Sequence, residues 1–273
     1  SLIAKSGAFS MFTTWQIAFP SIIQRKIIRP VVAILRRFRV DTVQPASWGH
    51  EVRLDGIEEE EGLFAHLLES DLVTYAVPWL LLEDDYQEGL DLGRCDAFTD
   101  AYAIVFFKEC LRRHAYLTGN PRVVVKANPM VFRLRMLTRV FPDARVVYLV
   151  RSPVQAVGSY FTMIENFVGP LLSPEQMTLF FARRYRWSVE LYRYFEEAKA
   201  VIPAERRIAI PFYELTGDTE RSVRRFFELA EYTPPASFWE ELRRIVARPH
   251  TRKHARRPLR RFGVTKERIA RDL

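Results

Sequence analysis

Two short β-branched runs constrain this chain more than anything else in it. The first is Val123-Val124-Val125, and the second runs from Arg145 to Val150, about twenty residues later. Between them Met130, Leu134, Leu137 and Phe141 recur at helical spacing. Two buried-looking runs joined by a helix predict a β-α-β unit, with parallel strands and a right-handed crossover, and so an α/β fold. Each run ends in a cation followed closely by a small polar residue and a proline: Lys126 with Asn128-Pro129, and Arg151 with Ser152-Pro153. Asn or Ser as N-cap with Pro in the first helical position starts a helix. The pattern thus brings two cations and two helix N-termini to one sheet edge. Open parallel sheets bind ligands at that edge, and helix N-termini favour anions. These residues read as phosphate recognition.

Lys126 to Ser159 resembles the 3'-phosphate-binding region of sulfotransferases that use 3'-phosphoadenosine 5'-phosphosulfate (PAPS). The shared pattern is a strand ending in Lys126, a helix, Phe141-Pro142-Asp143-Ala144-Arg145, a second strand, Arg151, and Ser159 eight residues on. Arg133 matches an arginine common in the bacterial branch. The resemblance implies that Arg151 and Ser159 hold the 3'-phosphate as charged fork and hydroxyl donor. Gly158 would then allow close approach beside Ser159. The plain alternative is that Arg151 caps a strand and Ser159 packs on a helix. The resemblance also implies a P-loop-NTPase-like three-layer α/β/α fold with a short parallel sheet and a largely helical insertion. All 273 residues would form one domain: an insertion over 21–119, a nucleotide-binding core over 120–232 and a basic loop and helix over 243–273.

The net charge of +8 and a pI near 9.6 favour an anionic partner, whether nucleotide, nucleic acid or acidic membrane. Cys95 and Cys110 lack metal-ligand spacing and read as reduced and buried, which fits a cytoplasmic protein. No apolar run reaches the length of a membrane span.

Ser1 to Pro20 resembles the segment after the family's 5'-phosphosulfate loop, with Thr14, Trp15, Gln16, Phe19 and Pro20 in its Thr-Trp and Phe-Pro places. The loop itself is expected just before Ser1, so an N-terminally truncated chain is favoured over a protein that has lost its loop. Ser21 to Val40 mixes Ile22, Ile23, Ile27, Ile28, Val31, Val32, Leu35 and Phe38 with six cations, and is broken by Pro30. It reads either as a helical hairpin docked by its apolar face with solvated arginines, which is favoured, or as a helix lying on an anionic membrane or framing a greasy acceptor pocket. Asp41 to Leu54 reads as a loop. Glu58 to Glu61 opens a helix and reads as a solvated acidic face rather than a cluster for metal or acid-base work.

Beyond Ser159, Ser173-Pro174-Glu175-Gln176 predicts a capping box and a helix from Pro174 to about Ala200. Arg206 to Phe212 predicts a third strand, and Asp218 or Thr219 caps the next helix. Tyr213 occupies the place of a family tyrosine beside the adenine. Arg243 to Arg261 has no acid, and its lack of interleaved aromatics argues against a nucleic-acid arm. In the family this region closes over PAPS before a Phe-Gly-Val turn, here Phe262-Gly263-Val264. Lys253, His254 and Arg256 become candidate phosphate contacts.

By analogy with phosphoryl transfer, sulfuryl transfer needs positioning and charge stabilisation, with no metal or redox step. Lys126 is the candidate for stabilising the leaving phosphate. Relatives carry a His two or four residues after that lysine, where this chain has Asn128 and Met130. The base is therefore sought at His50, His66, a glutamate of the acidic patch, or Lys126 itself. Three readings stand: a PAPS-dependent sulfotransferase acting on a small-molecule, carbohydrate or lipid-like acceptor, a non-catalytic nucleotide-binding relative, and a basic membrane-surface or nucleic-acid binder.

Overall fold

A computed structural model describes residues 2–46, 51–83, 97–127, 129–248 and 257–273. Its elements in chain order are α1 (Thr14–Ala18), α2 (Ile22–Arg37), β1 (Thr42–Gln44), β2 (Val52–Arg53), α3 (Val73–Ala76) and α4 (Ala97–Thr118). Then come α5 (Leu134–Val140), β3 (Val146–Val150), α6 (Pro153–Val168), α7 (Pro174–Ala198) and β4 (Arg207–Pro211). Four helices close the chain: α8 (Phe212–Gly217), α9 (Thr219–Leu229), α10 (Ala236–Val246) and α11 (Lys266–Asp272). The fold is α/β, mostly helical around a short parallel sheet.

The parallel ladder is β3 on β4, in register from Val146 opposite Arg207 to Val150 opposite Pro211. The predicted strand at Val123-Val124-Val125 shrinks to a parallel bridge between Val123 and Ser10, with Ser10 N–H donating to Arg122 O at 2.8 Å and Val124 N–H to Ser10 O at 2.9 Å. Val123–Val125 therefore does not pair with β3, and the β-α-β unit that forms is β3 to β4 through α6 and α7. Nor is β3 fully buried: Leu149 and Val150 are 58% and 50% exposed, because the side of β3 away from β4 has no paired strand among the described residues.

Local signals set the helices. Ser152 is the N-cap of α6 with Pro153 at its first position. Ser173 caps α7, accepting from Gln176 N–H at 3.3 Å while the Gln176 side chain accepts from Ser173 N–H at 2.9 Å. Asp218 accepts from Arg221 N–H at the start of α9. The α7 aromatics Phe180, Phe181 and Tyr185 are core, packed with Phe161 of α6 and Phe262 near the C-terminus. A second core joins Phe12, Leu63, Phe64, Phe107 and Met130.

Two expectations between residues 21 and 54 are corrected. Pro30 does not split a hairpin; α2 runs continuously through it. Asp41 to Leu54 is not all loop, since β1 and β2 pair antiparallel and the buried Asp41 accepts from Arg53 at 2.8 Å. His50 falls outside the described residues.

Candidate functional site

A cleft of about 3110 Å³ runs along the open side of β3. Lys126, Arg151 and Ser159 all line it, so both strand-end cations and the helix hydroxyl face one space. That volume exceeds the roughly 300–1,000 Å³ of a single small-molecule pocket and leaves room for two ligands.

The two cations sit in different settings. Lys126 lies among acids: its backbone N–H donates to Glu60 Oε2 at 2.6 Å, and its ammonium is 3.7 Å from Glu58 Oε2 and 3.5 Å from Ile57 O. Glu58 lines the same cleft. Arg151 directly follows β3, and its guanidinium stacks on the Phe212 ring at 4.5 Å. The Tyr192 phenol, held above its ordinary pKa by burial, feels the opposing charge of Arg151. Ser159 lies on α6, and among the described residues its hydroxyl has no side-chain partner.

The acidic run is not the solvated face expected of it. Glu60 and Glu61 are fully buried. Burial pushes the Glu60 carboxyl up to about 7, opposed by hydrogen bonds from backbone N–H groups including that of Lys126. Burial also pushes Glu61 up to about 8, against the attraction of Arg133. Glu60 takes on a donor at the end of the Val123–Val125 run that sheet pairing leaves without a partner, which explains an acid in the core.

A buried polar lattice backs the cleft. Tyr160, next to Ser159, shares a 2.8 Å hydroxyl contact with Tyr75, and both line the cleft. Behind them the fully buried Arg184 binds Asp71 and Thr74. This lattice ties α6 to α7 and α3.

Other candidate residues fall elsewhere. Tyr213 is 78% exposed and off the cleft wall; α8 turns it outward, and the residue before it, Phe212, lines the cleft instead. His66 is also off the wall, its Nε2 donating to Ile17 O at 2.9 Å. Gly158 faces Leu259, whose side chain a Cβ would meet at 3.5 Å, rather than the cleft. Arg133 is buried, donating to Glu69 O at 2.6 Å and stacked on Phe64. Lys253, His254 and Arg256, with Cys95 and Asn128, lie outside the described residues. Cys110 is buried, and burial pushes its thiol up to about 11.

The tail nonetheless reaches the site's scaffold. Glu165 of α6 is bound by Arg257 and by Arg261, the latter at 2.8 Å, and Arg257 N–H donates to Thr162 Oγ1 at 3.1 Å. Phe262 and Val264 enter the core on either side of Gly263, whose φ of +68° suits a residue without a side chain. Phe212 and Tyr160 escaped the sequence reading, whereas Glu58 belongs to the acidic patch among whose glutamates the base was sought. The only signal for Glu58 was the acidic run itself.

Among the described residues, no group of three His, Cys, Asp or Glu is placed to hold a metal ion, and no helix is long and apolar enough to cross a membrane. A family model described as "Sulfotransferase family" matches residues 53–235. The structure is similar to that of sulfotransferase STF9 from Mycobacterium avium, with a TM-score of 0.73 and 19% identity over 99% of this chain and 70% of that one. It is also similar to sulfotransferase STF1 from Mycobacterium tuberculosis, with a TM-score of 0.70 and 16% identity over 99% of this chain and 71% of that one. No curated protein matches.

Proposed function

Since the chain belongs to the sulfotransferase family, we propose that it moves a sulfuryl group from PAPS to an acceptor hydroxyl or amine, releasing 3'-phosphoadenosine 5'-phosphate. The observation that carries this reading is the shared cleft of Lys126, Arg151 and Ser159. A guanidinium braced on an aromatic ring, and in the same cleft a hydroxyl with no side-chain partner among the described residues, suit a phosphate dianion. In this reading Arg151 and Ser159 bind the 3'-phosphate, and Phe212 orients the guanidinium. Tyr213 has no part.

Lys126 stabilises the charge that develops on the leaving 5'-phosphate oxygen as its bond to sulfur breaks. Glu58 takes the proton of the acceptor hydroxyl as that oxygen forms its bond to sulfur. Its carboxylate is nominated because it faces the cleft within 3.7 Å of the Lys126 ammonium. The apolar walls, among them Leu134, Leu149, Val150 and Met163, favour an acceptor with a greasy portion.

Thermal-shift titration with 3'-phosphoadenosine 5'-phosphate tests the reading. Wild type is expected to be stabilised, and Arg151→Ala to bind roughly 10- to 100-fold more weakly, the loss of one charged hydrogen-bonding group. Equal stabilisation of both proteins would remove Arg151 from the site. Binding without transfer of sulfate from PAPS to any acceptor in a panel of alcohols, phenols and sugars would leave a nucleotide-binding protein in place of an enzyme.

A further inference from the structure

Helix α2 takes no part in the chemistry above, and its outer face is aliphatic. Ile23, Ile27, Val31, Ile34 and Phe38 are 70, 63, 46, 56 and 72% exposed. Their spacing of three and four residues sets them in one stripe along the helix and its C-cap. Val40 and Val43 beyond the helix are exposed as well.

The helix cannot roll to bury this stripe. Arg25, on the opposite side and 3% exposed, donates to Gln16 O at 2.9 Å and Phe19 O at 3.1 Å, which are carbonyls at the end of α1. It also meets His114 Nδ1 at 3.2 Å. Val32 is buried beside it. The favoured sequence reading of a docked apolar face with solvated arginines is therefore reversed at these positions. An arginine is the anchor, and Ile23, Ile27 and Ile34 face outward.

We propose that this face docks α2 on an anionic lipid surface, lying in the plane of the interface. By helical angle, Lys26 and Arg37 border one edge of the stripe, Arg29 lies on the opposite side of the helix and Arg39 past its C-terminus, all exposed. Among the described residues none of these four forms an ion pair, whereas Arg36, turned toward the body, is held by Asp55 at 2.9 Å. Aliphatic side chains bordered by unneutralised cations fit a bilayer with acidic headgroups. They fit a second copy poorly. A helix of 16 residues is about 24 Å long, so a stripe about 10 Å wide offers on the order of 250 Å², against roughly 800 Å² per partner in a stable interface. Pairing two copies would also oppose their cations. Nucleic acid would have no use for five aliphatic or aromatic side chains that present no hydrogen-bonding group. The inference stands on α2 alone and does not require the sulfuryl-transfer reading.

The test is co-sedimentation of the full chain with phosphatidylcholine vesicles, with and without phosphatidylglycerol, alongside gel filtration. Binding is expected to the anionic vesicles and to weaken with salt. Ile27→Glu/Ile34→Glu is expected to lose at least about tenfold in lipid affinity, and Lys26→Ser/Arg37→Ser about tenfold or more. All four side chains are exposed, and wild-type melting temperatures are expected of both variants. Failure of wild type to bind anionic vesicles overturns the proposal, as does undiminished binding by both variants. So does a wild-type dimer that Ile27→Glu/Ile34→Glu converts to monomer, since the stripe then belongs to a second copy.

Discussion

The two cation-ended runs that face the cleft, one closing on Lys126 and the other on Arg151, look alike in sequence and differ in company. At Lys126 the cation is surrounded by oxygen: Glu58, Glu60 through the backbone, and the Ile57 carbonyl. At Arg151 it rests on a ring, Phe212, with the Tyr192 phenol and a helix hydroxyl in the same wall. An ammonium beside carboxylates can answer a change of charge during a reaction, because protons and charge can move between neighbours. A planar guanidinium on an aromatic face is suited to holding a fixed anion. In the proposed function, one sequence motif used twice yields one end for turnover and one for grip.

Kinetics can break that contrast. Lys126→Met is expected to lower kcat by roughly 10²–10³-fold, the usual scale for losing one electrostatic stabiliser, with the affinity for 3'-phosphoadenosine 5'-phosphate changed less than about threefold. A large loss of nucleotide affinity in isothermal titration would place both cations in the gripping half.

The acid under Lys126 gives a second, smaller effect. Glu60 holds its proton up to about 7 in the folded chain against an ordinary 4.5. The folded state therefore binds more protons across that interval, and stability falls as pH rises from about 5 through 7. The expected loss is on the order of 1–3 kcal/mol. Glu60→Gln is expected to flatten this part of the profile in urea titrations at several pH values, while the fall owed to Glu61 near pH 8 persists. An unchanged slope between pH 5 and 7 would show that Glu60 is ionised throughout.

The smallest effect sharpens the Arg151 side. Phe212→Ala removes the brace and is expected to weaken nucleotide binding about two- to fivefold, the scale of a partly exposed cation–π contact. Tyr213→Ala, one residue on, is the paired control and is expected to change nothing measurable by the same titration.

What could be read in advance followed local physics. Ser152-Pro153 and Ser173 to Gln176 start α6 and α7 where their caps place them, because a cap needs only its own next turn. Lys126, Arg151 and Ser159 were named together from strand-end and helix-start signals and line one cleft, although the run that ends at Lys126 lies outside the β3–β4 ladder. Long-range pairing was not legible. Val123–Val125 looks like a buried strand yet bridges Ser10, and β3 takes its neighbour from beyond α7. Nor could composition show that Glu60 meets a backbone donor 66 residues away, since four successive glutamates look the same whether wet or dry. Choosing between Phe212 and Tyr213 turned on where β4 gives way to α8, a difference of one residue that reverses which ring faces inward. Pro30 misled because an interior proline usually ends a helix, while here Pro30 and Lys26 both lie on the exposed side of α2.

The carboxylate of Glu165 has a reach beyond its own helix. It lies six residues along α6 from Ser159 and gathers Arg257 and Arg261 from the far end of the polypeptide. Residues 257–273 therefore act as a splint that keeps the helix presenting the hydroxyl seated, and at their far end Asp272 and Leu273 reach the wall of the cleft itself. Removing residues 257–273 would leave that acid nearly dry and without its two arginines.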